Sequence, residues 1–135
     1  MAYMHWKEIY SVHIAEIDEQ HKKLIDMING LHDAMKEGKG KAVITLVLKE
    51  MIAYAASHFA TEEDYMSRFA FNGYALHKAE HGAFTQKVLD FQREYNRGSI
   101  SLTFDVMDFL ESWLIRHIQG TDKQYALFLN MKGVK

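Results

Sequence analysis

The sequence predicts an all-α fold: an up-down-up-down four-helix bundle with an irregular N-terminal arm and a short C-terminal fifth helix. Three observations predict it. Proline is absent from the 135 residues, which leaves long helices uninterrupted. Apolar residues recur at helical spacing in four blocks. Short, glycine-marked connections separate the blocks, so successive helices run antiparallel. A chain of this length makes one domain around one core, spanning residues 1–135.

The arm is residues 1–17, with Trp6, Ile9, Ile14 and Ile17 available to pack on the bundle. The first helix is expected over 18–37, with Asp18 as N-cap and Leu24, Ile25, Ile28, Leu31 and Met35 as its stripe. It stops at Gly38 and Gly40. The second, over 41–70, carries Ile44, Val47, Leu48, Met51, Ala55, Phe59 and Met66 and breaks near Asn72-Gly73. The third, over 74–96, carries Phe84, Val88, Phe91 and Tyr95 and stops at Asn96-Arg97-Gly98. The fourth, over 100–119, carries Val106, Met107, Leu110, Trp113 and Leu114 and stops at Gly120. Thr121-Asp122-Lys123-Gln124 then reads as a capping box opening the short helix over 121–130. Gly30 and Gly82 fall inside helices, each at a cost of ~1 kcal/mol against Ala. Close helix approach is one reason for Gly82.

Composition removes several function classes. Sixteen Lys and Arg against 18 Asp and Glu give a net charge of -2, so no basic nucleic-acid-binding face is expected. Cysteine is absent, and with it disulfides, thiolate zinc sites, iron–sulfur clusters and Cys nucleophiles. Met1 to Glu19 contains His5, Lys7, Glu8, His13, Glu16 and Asp18 and has no apolar signal core. The apolar runs around Thr45 are far shorter than the ~20 residues of a membrane helix. No membrane insertion and a cytoplasmic location are therefore expected.

Eight His stand out in so short a chain. His21 leads the stripe of the first helix, and His58 and Glu62 continue that of the second. His77 and His81 begin the third, and His117 ends the fourth. In an antiparallel bundle all of them lie towards the same end. Residues four apart share a helix face, so His58/Glu62 and His77/His81 each reach one small volume. Asp122 follows His117 by five residues, which on a continuous α-helix leaves it ~140° off the His face. A break at Gly120 and a new helix start at Thr121 would re-aim it inward, where the helix dipole favours its charge. A single His on an apolar face is ordinarily a core residue bonded to a neighbour. Burying five His and two carboxylates together without a metal would leave groups unpaired at roughly 1–3 kcal/mol each. The set therefore reads as a metal site. His5, His13 and His32 stay outside it; His32 is ~16 Å further along the first helix than His21.

The pattern His21, His58-x-x-x-Glu62, His77-x-x-x-His81, His117-x-x-x-x-Asp122 resembles the hemerythrin family signature at all seven positions. The sequences around the ligands agree: Ile17-Asp18-Glu19-Gln20-His21-Lys22, His58-Phe59-Ala60-Thr61-Glu62-Glu63 and Trp113-Leu114-Ile115-Arg116-His117-Ile118. The likeness runs from about Trp6 to Asn130 and is greatest to the single-domain bacteriohemerythrins. Two positions depart from it. His13 stands where the arm usually has Gly, and Phe71-Asn72-Gly73-Tyr74 replaces the usual Tyr-Pro turn.

The resemblance implies two iron ions with an oxo or hydroxo bridge and reversible binding of O2. His77, His81 and His117 would hold one iron, His21 and His58 the other, and Glu62 and Asp122 would bridge both. One coordination position then stays open, on the iron with two His, which suits a single end-on O2. The shell is richer in neutral nitrogen than the four-carboxylate shell of bundle oxygenases, and imidazole suits Fe(II). Phe59, Trp113, Leu114 and Ile118 are expected to wall the O2 pocket, with Leu24 and Ile25 read first as plain core. The leading function is O2 storage, transport or delivery by a non-enzyme, expected as a monomer, with an O2-consuming enzyme such as a monooxygenase as a partner. O2 or redox sensing, or a di-iron oxidase, peroxidase or nitric-oxide-handling enzyme, are the other readings.

Overall fold

The computed structural model describes residues 4–38, 41–98 and 102–135. It does not describe the side chains of Lys41, Ile44 and residues 102–106, so the expected roles of Gly40, Ile44 and Val106 and the start of the fourth helix lie outside the described residues. The fold is all-α, with no strand among the described residues. Helices α1 (Ala15–Lys36), α2 (Lys41–Arg68), α3 (Tyr74–Asn96) and α4 (Leu102–Arg116) form the up-down-up-down bundle, and α5 (Lys123–Met131) follows. Each helix packs on the next, and α1 closes the ring against α4. No described helix is long and apolar enough to cross a membrane.

The core has two parts. The larger runs down the bundle and includes Leu24, Ile28, Met51, Ala55, Phe59, Phe84, Leu110 and Leu114. The smaller gathers Val12, Ile14, Ile17, Met66, Tyr125, Ala126 and Leu129 from the arm, α1, α2 and α5. Between them lies a layer of buried polar side chains: His21, His58, Glu62, His77, His81, His117 and Asp122.

The arm is tied rather than loose. A 3-10 turn spans Glu8–Tyr10. Met4 and Asn29 exchange two hydrogen bonds, Met4 N to Asn29 Oδ1 at 2.7 Å and Asn29 Nδ2 to Met4 O at 2.9 Å. Ile14 and Ile17 are buried, but Ile9 is 59% exposed and does not pack on the bundle as the sequence suggested. α1 begins at Ala15 with Ile14 at the N-cap position, so Asp18 is not the cap. Asp18 sits in the first turn and reaches back to the arm instead, accepting from Ser11 Oγ at 2.6 Å and Val12 N at 2.8 Å. His13 takes φ 57°, the left-handed region.

The turn into α3 is built without proline. Ala70 adopts φ 55°, Phe71 N donates to Met66 O at 2.9 Å, and Ala70 N donates to Ser67 O at 3.2 Å. These are the paired bonds of a Schellman end, and Phe71 then packs beside Met66 in the smaller core. Gly73 lets the Phe71 ring lie close, because a Cβ there would fall 2.7 Å from the ring edge and make the ring shift. Gly82 has no such reason. A Cβ at that position would meet nothing within 4 Å, so close helix approach does not explain it.

The expected break at Gly120 is absent. Residues His117–Asp122 form a π-helical segment that joins α4 to α5. Thr121 does not cap: its Oγ1 donates to the Glu80 carboxylate at 2.9 and 3.1 Å. Winding with i→i+5 bonds brings residues five apart to one face. Asp122 therefore turns inward beside His117 on a continuous helix. The argument from the dipole of a new helix start falls with the break.

Candidate metal centre

All seven residues singled out by sequence converge in the polar layer, each with 4% exposure or less. α1 supplies His21, α2 supplies His58 and Glu62 one turn apart, and α3 supplies His77 and His81 one turn apart. The π segment supplies His117 and Asp122. Ligand atoms of Glu62, His77, His81, His117 and Asp122 lie close enough to share one ion, and those of His21, His58 and Glu62 form a second such group. Asp122 spans the two: its Oδ2 lies 3.1 Å from His21 Nε2, and its Oδ1 lies 3.0 Å from His77 Nε2 and 2.9 Å from His117 Nε2. Glu62 Oε1 likewise lies 2.9 Å from His58 Nε2 and 3.5 Å from His81 Nε2. His5 and His13 are exposed, and His32 lies half-buried beside Asp33, far from the layer.

The orientation of the rings identifies what belongs between them. His58 Nδ1 donates to Gln20 Oε1 at 2.6 Å, His81 Nδ1 to Glu63 Oε2 at 2.9 Å, and His117 Nδ1 to Glu80 Oε1 at 3.2 Å. With Nδ1 protonated outward, each Nε2 is the ring atom aimed inward, where it can hold a proton or, once that is lost, a metal. There it faces carboxylate oxygens, or another ring nitrogen, as His81 Nε2 faces His117 Nε2 at 3.2 Å. Both ring nitrogens of His21 and His77, Glu62 Oε1 and both Asp122 oxygens form no hydrogen bond. Carboxylates and imidazoles packed this closely need cations among them, either protons on the rings or metal ions in their place. Five imidazoles and two carboxylates are a donor set for a divalent transition metal.

The electrostatics carry the same demand. Burial opposes the charge on His117, yet Asp122, Glu62 and Glu80 together raise its imidazole from 6.5 to about 9. Burial likewise opposes protonation of His21, but Asp122 and Glu62 push its pKa up. Burial disfavours the Asp122 carboxylate, but His117, His21 and His77 hold it well below its usual range. Glu62 is lowered too, against burial and repulsion from Asp122, by His58 and His81.

Four neighbours of the site escaped the sequence reading. Gln20, Glu63 and Glu80 hold the outer ring nitrogens, and the adjacency of Gln20 to His21, Glu63 to Glu62 and Glu80 to His81 was the available signal. Tyr125 is fully buried and its hydroxyl donates to Glu62 Oε2. Burial and the nearby Glu62 and Asp122 push its phenol well above 10, so it stays a donor. It lies three residues beyond Asp122, one helical turn, which is the only hint the sequence carries.

One turn from the polar layer, within the larger core, lies an apolar cavity of ≈ 20 Å³, room for a water-sized or diatomic guest. Its wall takes one residue three positions from a ligand on every helix: Leu24, Ala55, Phe84 and Leu114. Phe59, Trp113 and the next layer complete it. Phe59 stacks on His81 with centroids 3.9 Å apart, and Trp113 on His117 at 4.3 Å. Of the four expected pocket residues, Phe59, Trp113 and Leu114 line this cavity. Ile118 is buried in the same apolar cluster without lining it, whereas Leu24, read first as plain core, does line it.

Residues 12–129 match the family model of the hemerythrin HHE cation-binding domain. Among its relatives, a bacteriohemerythrin of Pseudomonas aeruginosa is 34% identical over 126 residues, covering 93% of this chain and 81% of the relative. A bacteriohemerythrin of Methylococcus capsulatus is 33% identical over 127 residues, covering 93% and 96%. The crystal structure of a wild-type hemerythrin superposes with a TM-score of 0.86 at 32% identity, covering 93% of this chain and 96% of that one.

Proposed function

The chain belongs to the hemerythrin family, and from that premise we propose that its polar layer holds two iron ions and that the protein binds dioxygen reversibly, for storage, transport or delivery. The single observation that carries the reading is Asp122, whose two carboxylate oxygens face the His21 side and the His77/His117 side of the layer. His77, His81 and His117 are assigned to one ion and His21 and His58 to the other, with Glu62 and Asp122 shared. When bound, the iron pair supplies two electrons to O2 reversibly.

The chain's own residues do the rest. Gln20, Glu63 and Glu80 fix three rings with Nε2 inward, and Tyr125 orients Glu62. Phe59, Trp113 and Leu114 close the adjacent space against water. That cavity wall carries no acid or base, which supports a carrier over an enzyme that must move protons at a substrate. Ile118, beside His117, is assigned to the dry surround of the pocket. We place this role in the cytoplasm, in a monomer that hands O2 to a consumer such as a monooxygenase.

Two measurements test the reading. Metal analysis is expected to find two irons per chain, falling sharply in His77→Ala and Glu62→Ala; full iron in both variants would overturn the ligand assignment. An absorption band of the oxygenated form is expected to vanish under argon and return in air. Steady O2 consumption with added reductant, releasing peroxide, would replace the carrier reading with an enzyme.

A further inference from the structure

The two halves of the metal layer are backed by partners of different charge. His81 Nδ1 donates to the Glu63 carboxylate at 2.9 Å and His117 Nδ1 to the Glu80 carboxylate at 3.2 Å. Both belong to the three-His half. On the two-His half, His58 Nδ1 donates to Gln20 Oε1, a neutral amide, at 2.6 Å. Among the described residues, His21 and His77 have no hydrogen-bond partner at Nδ1. The outer charge is thus two carboxylates against none.

Both arrangements are held in place. Thr121 Oγ1 donates to both oxygens of Glu80, so the widened segment that turns Asp122 inward also fixes the carboxylate behind His117. Gln20 Nε2 donates to Thr61 Oγ1 at 3.3 Å, and Thr61 donates onward to Ser57 O at 3.2 Å, which leaves the amide oxygen facing His58.

We propose that Glu63 and Glu80, acting through His81 and His117, make the three-His iron the more readily oxidised of the two, while neutral Gln20 keeps the two-His iron more readily ferrous. The proposal rests on the di-iron reading above. An imidazole whose N–H is given to a carboxylate is a more basic, more electron-donating ligand. It stabilises Fe(III) over Fe(II), and an amide acceptor does so less because it brings no charge. A single electron removed by an outer-sphere oxidant such as ferricyanide, reduced to ferrocyanide, then leaves from the three-His side with no bond made or broken. Glu63, Glu80 and Gln20 are positioning residues whose charge sets the order of oxidation.

The test is an anaerobic redox titration of the iron-loaded protein. Wild type is expected to oxidise in two separate one-electron steps. Glu63→Gln/Glu80→Gln keeps an acceptor oxygen behind each ring and removes only charge. It is expected to raise the lower-potential step, by about tenfold in equilibrium constant per carboxylate, or ~59 mV each. Gln20→Glu is expected to lower the higher-potential step, so both variants narrow the gap from opposite sides. In the zinc-loaded protein, the Nδ1 protons of His81 and His117 are expected furthest downfield by NMR and to move upfield in the double variant. Unchanged potentials in both variants, or a double variant that moves the higher step instead, would overturn the assignment. A wild-type protein that fails to hold two irons would overturn the di-iron reading itself, a distinguishable failure.

Discussion

Leu114 lies three residues before His117 and faces the interior one turn from the metal layer. Its side chain closes a cavity already just large enough for one small guest. Water or a proton reaching the pocket would promote oxidation of iron held beside it, and a dry wall raises that barrier. Leu114→Ala is expected to admit solvent and to speed conversion to the oxidised, oxygen-free form on the order of tenfold, equivalent to ~1.4 kcal/mol of barrier. Iron content should not change, since Leu114 supplies no ligand atom. Equal autoxidation rates for variant and wild type, at matched pH and temperature, would remove Leu114 from the pocket wall. Tyr125 marks the limit of sequence reading at this scale. Its fully buried hydroxyl serves Glu62, yet a tyrosine in a short terminal helix looks in sequence like any packing residue.

At the scale of elements, two positions carry a local cost with no packing return. A Cβ at Gly82 meets open space on an exposed helix face. Gly82→Ala is expected to stabilise the protein by ~0.5–1 kcal/mol through helix propensity, measured as a higher urea midpoint with an unchanged slope. A lower midpoint would reveal a contact the geometry does not contain. His13 is the converse case, a side chain in the left-handed region at φ 57°, where a Cβ costs roughly 1–2 kcal/mol. Its carbonyl accepts from Asn130 and its amide donates to Ser11, and both bonds survive substitution. His13→Gly should raise the melting midpoint by a few degrees, the strain relief exceeding the added chain entropy; a fall would mean the His side chain anchors the arm.

For the molecule as a whole, the buried charges set how stability depends on pH in the iron-free protein. The His117 pKa is raised from 6.5 to about 9 on folding. Its contribution is therefore fully present below pH 6.5 and is lost as pH rises through 9. Asp122 and Glu62 are lowered from 3.8 and 4.5, so their contributions are present above those values and lost in acid. The iron-free protein is expected to be most stable near pH 5–6.5 and to weaken towards pH 9.5, read by urea unfolding. A flat profile between pH 6.5 and 9.5 would mean that His117 is not charged in the fold. Metal must displace that proton, so uptake at pH 7–8 should release protons, seen as a calorimetric heat that varies with the buffer's ionisation enthalpy.

Sequence alone determined the helical class and the convergence of His21, His58, Glu62, His77, His81, His117 and Asp122 on one end of a bundle. Periodicity of 3.6 residues and spacing of four are local properties, written directly in the order of side chains. The tertiary structure decided what depends on neighbours distant in the chain. It showed that Asp18 reaches back to the arm rather than capping α1. It showed that Asp122 is aimed by π winding and not by a helix break, and that Thr121 serves Glu80 across 41 positions rather than a cap. Seven polar groups on four helices can be counted from a sequence, but which oxygen faces which nitrogen follows only when those helices are packed. The same packing alone placed two carboxylates behind one half of the site and an amide behind the other.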